Sequence, residues 1–598
     1  MSRTRIISAL ALITAAFHLW SAGITPFTAL VQRPVHLLLM AALGFLGAGV
    51  QRRNRHIDWL WILPAAASFG WIAWQHEAVA RRIGAALPLD LVGGIVAVIV
   101  VLELARRATG WPLVTVALLA LAYASAGPWL PGILAHRGYS PARIVEHLYL
   151  SAEGIWGVPL GVSADFVYLF ILFGALLEAA GGGALLVSLA ARISGRARGA
   201  PAITATVASA FMGSLSGSAV ANVVTTGTLT IPLMRRAGFA PHFAAAIEAA
   251  ASTGGQLMPP VMGAGAFILA TWTGIPYAQV AAAALLPALL YYGALFAAVH
   301  FSAVKLNLPR GDTLAVEPIL PRLHLLLPIG AIVAFLALGR SPMRAAFWGV
   351  LGAAAMPLLR PETRLDLVRM RTALVSAAGN TVQVAAACAT AGIVVGVASL
   401  TGIGLRMSEL IITLSQGYLP AALVLTAAGS LLLGMGLPTT AAYVVLAALG
   451  APALTELGVA PLAAHLFLFY FGCISNVTPP VALAAFAAAG LAGASPMRTA
   501  LVAMSLASAG FLVPFLFVYG PALLLDAPPL DIALAAATAL VGVTALAAAV
   551  VGHARAPLGG VRRIFAGTGA LLLITPGVVT DAVGLFVLAL ALWPRKST

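Results

Sequence analysis

The chain has 598 residues, 61% of them hydrophobic and 9% charged, with a mean hydropathy of +1.02. That composition cannot clothe a soluble globular domain in a polar surface, so the chain reads as an all-α polytopic membrane protein. The formal charge of +15 sits in short basic clusters between apolar runs, where the positive-inside rule explains it better than nucleic-acid binding does. Cys388 and Cys473 both lie inside apolar runs, which argues against a disulfide framework or a zinc site.

A bilayer crossing needs about 20 apolar residues. Such runs fall near residues 5–27, 33–50, 58–75, 89–105 and 111–131, and they form a first membrane module, 1–131. Arg3 and Arg5 precede the first run, but no small-residue cleavage site follows, so it reads as a membrane helix and not a signal peptide. Arg52, Arg53, Arg55, Arg106 and Arg107 follow the second and fourth spans, which places the N-terminus in the cytoplasm. Arg81 and Arg82 fall on the other side in this scheme, where an interfacial helix from His76 would hold them. Residues 132–163, with Arg137, Pro141, Arg143 and Glu146, read as a polar connector with an interfacial helix. Next come a first repeat, 164–300, inter-repeat scaffold helices, 301–371, a second repeat, 372–520, and C-terminal helices, 521–598, whose Pro576 and Gly577 fold the tail into a hairpin.

Each repeat breaks its apolar run twice. In the first, GSLSGSAVANVVTTG from Gly213 divides residues 200–234 into two arms, each expected to be too short to cross alone. Basic residues flank both ends of this segment, so it should enter the membrane and turn back. STGGQLMPPV from Ser252 forms the second break. The other repeat carries GMGLPTTAAY from Gly434 and CISNVTPPV from Cys473. Pro259, Pro260, Val261 and Pro276 match Pro479, Pro480, Val481 and Pro496, and Gln256 falls on Asn476, all at a spacing of 220 (479 − 259). Five expected crossings separate the two hairpins, and no Lys or Arg lies between Arg406 and Arg498, so the hairpins should dip in from opposite faces as an inverted-topology repeat. Paired broken segments of this kind point to a secondary transporter's binding site, because irregular backbone is tolerated at membrane depth only where protein or a cavity satisfies it.

Hydroxyl and carbonyl oxygens suit hard cations. The expected ion-binding residues are Ser214, Ser216, Gly217 and Ser218 with Ser252, Thr253 and Gly254, and Gly434, Gly436, Pro438 and Thr439 with Ser475, Asn476 and Thr478. The double prolines should free carbonyls upstream of them. Asn222, Gln256, Pro259, Pro260, Thr440, Pro479 and Pro480 are the expected substrate-binding positions, where half-helix N-termini favour an anion. Taken singly, each motif also fits simple close packing and kinking of membrane helices. Glu248 is an ionisable residue inside an apolar run, with Leu468 as its counterpart; it reads either as a coupling residue or as a contact of His242 or a helix end. Asp90, Glu103 and Glu178 stand near span ends and should reach headgroups, His465 reads as interfacial or structural, and Asn380, Thr381 and Gln383 could line a substrate path. No nucleophile with its base, no metal-ligand spacing and no phosphate-binding loop is present, so neither enzyme nor nucleotide-driven pump is expected, and no cofactor.

These runs, extended through EAAASTGGQLMPPVMGAGAFILA, GMGLPTTAAYVVLAALGAPAL and SNVTPPVALAAFAAAGLAG, resemble the large permease subunit of tripartite ATP-independent periplasmic (TRAP) transporters from about residue 160 to 520. The spans before 132 are similar in arrangement to fused permeases, and STGGQLMPPVMGAGAF is most similar to the TAXI subgroup. The resemblance implies an elevator mechanism in the bacterial inner membrane. It also implies a periplasmic substrate-binding protein of TAXI type, cargo such as glutamate or 2-oxoglutarate, and coupling to sodium. A hairpin-proximal aspartate found in sialic-acid-type members is missing, which leaves the proton as the alternative ion. A stand-alone citrate- or dicarboxylate-type carrier, which can share paired hairpins, is the competing reading.

Overall fold

The computed structural model describes residues 3–49, 58–81, 85–195, 197–310, 318–575 and 577–592. Arg52, Arg53, Arg55, Arg82, Arg196 and Pro576, which carry parts of the topology and tail reading, lie outside the described residues. Among the described residues there is no β-strand, only two isolated bridges, and eleven helices are long and apolar enough to cross a membrane. The chain is a multi-pass membrane protein.

Two expected spans come out short. Ala29–Phe45 has 17 residues, and the run from 58 is divided between a 3₁₀ turn, Asp58–Trp61, and a 13-residue helix, Ile62–Trp74. The helix expected in the connector is Pro141–Leu150, capped by the Ser140 hydroxyl, which accepts from Arg143 N at 3.3 Å. The next crossing starts at Val158, inside the expected connector, and runs to Ala179 through a π turn at Ser163–Val167.

The chain divides into two compact units. The first comprises Met1–Gly182, Ala264–Tyr277 and Pro321–Gly458. Its spine is the 35-residue helix Leu367–Thr401, about 52 Å long at 1.5 Å per residue. Small residues let neighbours approach it: a Cβ on Gly392 would stand 2.5 Å from Gly154 O, and one on Gly396 3.0 Å from Glu153 O. The N-terminal helices of this unit are joined to one another by buried polar contacts. Thr14 O can only accept, so His18 Nδ1 must donate to it (2.7 Å), and His18 Nε2 then accepts from His36 Nδ1 (2.8 Å). Asp90 does not reach a headgroup: it is buried and accepts from Leu87 N at 3.0 Å and Trp71 Nε1 at 2.9 Å. Glu103 likewise pairs with Arg106 and Arg107. Thr381 donates its hydroxyl to Ala377 O, and the exposed Gln383 donates to Gly49 O.

The second unit comprises Gly183–Gly263, Ala278–Leu320 and Val459–Thr598. Its centre is the helix Pro241–Gly255, whose residues from Ala244 onward are all buried. Around it pack the arms Ala200–Ser216 and Ala219–Arg236 and the helices Leu483–Ala492 and Pro496–Leu506. Tyr291 and Tyr292 of Tyr277–Lys305 donate to its Ala250 and Ala251 carbonyls at 2.8 and 2.7 Å. The tail forms two helices, Gly560–Ile574 and Val578–Leu592, that pack side by side at Gly569 and Gly584, as a hairpin would.

Candidate functional site

Element bounds repeat at the same offset as the prolines. The arm Ala219–Arg236 maps on Thr439–Glu456 (219 + 220 = 439), with Pro232 on Pro452 inside each, and Pro241 on Pro461 at the start of the next helix. Both later breaks carry a cis Pro–Pro bond, Pro259-Pro260 and Pro479-Pro480. The prolines at 232, 452, 241 and 461 are a signal the motif reading passed over.

The first hairpin turns in less space than its Ser/Gly cluster suggests. Helix continues through Gly213, Ser214 and Ser216, and the break is confined to Gly217 and Ser218. Gly217 sits at φ +64°, a region open to glycine without the Cβ penalty, and Ser218 caps the next arm by accepting from Ala221 N at 3.4 Å. The arms are therefore 17 and 18 residues long, about 26 Å against a core of about 30 Å, longer than expected.

The tip meets the end of Pro241–Gly255 through two glycines. A Cβ on Gly255 would lie 2.6 Å from Gly213 Cα, and one on Gly213 would lie 2.9 Å from Asn222 Nδ2, so these positions admit hydrogen only. On the other side of the tip, a Cβ on Gly263 would come within 3.5 Å of both Gly217 O and Gln256 Oε1. The break that follows does not leave free carbonyls as its prolines suggested. Thr253, Gly254 and Gly255 carbonyls accept from Gln256, Leu257 and Met258 N–H groups, and Gln256 O accepts from Gly263 N at 2.8 Å.

Side-chain oxygens tell a different story. Ser214 and Ser475 donate within their own helices to Phe211 O and Gly472 O, Thr478 donates to Ile474 O, and Asn476 Nδ2 donates to Cys473 O at 3.1 Å. Ser216 Oγ, Thr253 Oγ1, Asn222 Oδ1 and Gln256 Nε2, by contrast, are buried without a hydrogen-bond partner. Asn222 is fixed by its other end, which donates to Ser209 O at 2.8 Å, and Gln256 Oε1 accepts from Cys473 Sγ at 3.6 Å. A buried polar atom left unpaired costs on the order of 1–3 kcal/mol, so such a group at a helix break asks for a ligand. Tyr470, also buried with its hydroxyl unpaired, belongs to the same unit and was invisible in an aromatic-rich run.

Glu248 makes no contact with His242. Its carboxylate accepts from Ser209 on the first arm (2.6 Å), from Thr226 and Thr230 (2.6 Å) on the second arm, and from Ser252 on its own helix (3.1 Å). Ser252 is thereby drawn into this cage and away from the Thr253 side of the break. One carboxylate thus ties both arms to the central helix.

In the first unit, the second hairpin turns at Met435–Pro438 between Leu419–Gly434 and Thr439–Glu456, with Gly436 at φ +75° and Pro438 in extended conformation before the arm. Thr440 is buried there, as is Tyr443, which lies 6.2 Å from the Trp272 ring. The expected site residues thus fall in two groups. Ser214 to Asn222, Ser252 to Pro260 and Ser475 to Pro480 share the second unit, and Gly434 to Thr440 belong to the first.

Among proteins with similar sequences are the 2,3-diketo-L-gulonate TRAP transporter large permease protein YiaN of Escherichia coli (strain K12), 25% identical over 52% of this chain and 74% of that protein, and the isethionate TRAP transporter permease protein DctMQ of Oleidesulfovibrio alaskensis, 26% identical over 59% of this chain and 56% of that one. An uncharacterised protein, y4mL of Sinorhizobium fredii, is 30% identical over 37% of this chain and 52% of its own length. The chain thus spans about half the length of two of these relatives. Residues 96–527, well over half the chain, match the family described as tripartite ATP-independent periplasmic transporter, DctM component. The chain therefore belongs to this family of transporters and is not an enzyme.

Proposed function

We propose that the chain is the membrane permease of a tripartite secondary transporter in the bacterial inner membrane, taking a small organic anion from a TAXI-type periplasmic binding protein and coupling its uptake to sodium. The observation behind the ion site is three buried oxygens without a hydrogen-bond partner, on Ser216 and Asn222 of the hairpin and on Thr253 of the helix whose last residue, Gly255, meets Gly213. Neutral oxygens of this kind bind a monovalent ion and let it go again. Gln256, whose amide nitrogen is unpaired, faces the same tip and is the donor offered to an anionic substrate.

An elevator movement of two re-entrant hairpins in inverted topology fits the matched arm bounds and the charge pattern. Arm length does not distinguish a hairpin from a crossing, since Thr439–Glu456 is itself long enough to span. Arg192 and Arg198 before the first hairpin and Arg235 and Arg236 after it favour a re-entrant hairpin, because the positive-inside rule places both of its ends on one side. Relatives are named for 2,3-diketo-L-gulonate, isethionate and C4-dicarboxylates. Their shared chemistry is a small oxygen-rich anion, a class that includes glutamate and 2-oxoglutarate.

The test is uptake into proteoliposomes of the purified protein, with glutamate, 2-oxoglutarate, succinate and isethionate as probes, with and without the binding protein, under an imposed sodium or proton gradient. Uptake that needs the binding protein and the sodium gradient supports the proposal. Uptake without the binding protein, or driven by protons alone, overturns the corresponding part of it.

A further inference from the structure

Glu248 stands about one and a half helix turns before Thr253 of the proposed ion site, and its carboxylate is enclosed by the hydroxyls of Ser209, Thr226, Thr230 and Ser252. We propose that Glu248 is the non-ligating counter-charge of the cation site: it holds a fixed negative charge beside ligands that are all neutral, and so sets the affinity for the ion. The proposal rests on the ion site proposed above.

Three observations support it. First, the four groups around the carboxyl are hydroxyls, each able to donate to it. Contacts of 2.6 Å from Ser209 and Thr230 have the length of O–H···O⁻ bonds. Thr226 and Thr230 each have a helix carbonyl in reach, Asn222 O at 2.8 Å and Thr226 O at 3.0 Å, but their hydroxyls also meet the carboxylate.

Second, among the described residues no basic group is paired with this carboxyl. Among the described residues Glu248 has no ion pair; the basic groups on the packed elements, Arg235, Arg236 and Arg498, stand at helix ends, as does His242, and Tyr292 beside it is neutral and bonded to Ala251 O. Within residues 183–263 of the second unit it is the sole acidic residue.

Third, the cage is absent from the other repeat. At the 220 offset Thr226, Thr230, Glu248 and Ser252 become Leu446, Gly450, Leu468 and Gly472. The carboxylate and three of its donors are thus present together in one repeat and absent together from the other, so the cage is not required by the helix breaks that the repeats share.

The size of the effect follows from distance. Thr253 lies five residues beyond Glu248, a rise of about 7.5 Å, and a unit charge about 10 Å away at an effective dielectric of about 20 changes monovalent cation affinity by roughly tenfold.

The experiment is equilibrium binding of ²²Na⁺ to the purified full chain in detergent, with Glu248→Gln, Glu248→Asp, Ser216→Ala and Thr253→Ala alongside the native protein, each passed through gel filtration to confirm a folded species. The expected result is a sodium Kd raised about tenfold by Glu248→Gln, with Glu248→Asp, which keeps the charge, nearer the native value. An unchanged Kd in Glu248→Gln, while Ser216→Ala and Thr253→Ala weaken binding, overturns the counter-charge and leaves the ion site standing. Sodium binding by the native chain that none of the four variants alters overturns both, and so does a native chain that binds no sodium.

Discussion

The arms Ala219–Arg236 and Thr439–Glu456 have the same length, carry a proline about one turn from their ends at Pro232 and Pro452, and lead to helices that both begin on proline. Their polar chemistry differs. The first arm pair is clasped to its neighbour by Glu248, whereas the second has Leu446, Gly450, Leu468 and Gly472 at the corresponding places. Ser209 maps on Gly429 at the same offset, next to Ser430, and the tips that follow differ in length, two residues at Gly217 and Ser218 against four at Met435–Pro438. Breaks and prolines are therefore the shared part of the repeat, and the buried carboxylate is an addition to one copy.

The largest expected effect tests the shared backbone. Gly255→Ala drives a methyl group into Gly213 Cα at 2.6 Å and Ser209 O at 3.0 Å, both backbone atoms that cannot rotate away. Overpacking of that kind should cost about 3 kcal/mol, read as a lower unfolding midpoint in detergent and a loss of folded yield. The second repeat carries Ser475 at this offset, so Ser475→Gly should be far milder. Equal thermal shifts for the two substitutions would break the distinction between a glycine contact and an ordinary helix end.

Next in size is the clasp. Thr226→Val and Thr230→Val each remove a donor from a buried carboxylate, and each should cost about 1–3 kcal/mol by thermal unfolding. Transplanting the second repeat's residues sharpens the comparison. Glu248→Leu alone takes the carboxylate from four hydroxyls, of which Thr226 and Thr230 can turn to helix carbonyls, while Glu248→Leu combined with Thr226→Leu, Thr230→Gly and Ser252→Gly removes both sides of the network and should recover part of the lost stability. A combined variant less stable than Glu248→Leu would show that the hydroxyls have partners enough without the acid.

A smaller step imports one residue. Tyr291→Phe places the second repeat's Phe511 chemistry in the first, deleting the hydroxyl bond to Ala250 O, a carbonyl that keeps its helical partner. The expected cost is about 1 kcal/mol, checked by the same unfolding measurement. A midpoint shift as large as that of Thr226→Val would make the tyrosine part of the clasp.

Helix breaks were legible in the sequence because Gly and Pro act locally: Gly217 and Gly436 take positive φ at the tips, and each double proline removes two successive N–H donors. Glu248 was legible as an oddity, an acid in an apolar run, but its partners were not. Ser209, Thr226 and Thr230 lie on two other elements, and only tertiary packing brings them to one carboxylate. Span counting failed where length was marginal, as at Ile62–Trp74, because apolar composition alone does not say where helical hydrogen bonding ends. The freed carbonyls inferred from Pro259 and Pro260 failed for another reason: a turn after the helix recaptured them with the next available N–H groups.

The smallest stability change is expected at Thr253. Its hydroxyl is fully buried and unpaired, so in sodium-free buffer Thr253→Val removes a desolvated polar atom without breaking a bond, and the unfolding midpoint should stay within about 0.5 kcal/mol of native or rise. Sodium should separate the two proteins. A ligand that binds only the folded state stabilises it by RT ln(1 + [L]/Kd), so a weakened site shows as a reduced midpoint shift on adding sodium chloride, against choline chloride as the ionic-strength control. The counterpart position in the second repeat is Cys473, already without a hydroxyl and in contact with Gln256. If Thr253→Val loses stability in both salts equally, the hydroxyl serves packing and the two breaks are alike; if the loss is confined to sodium, the first break has a ligand that the second does not provide at this position.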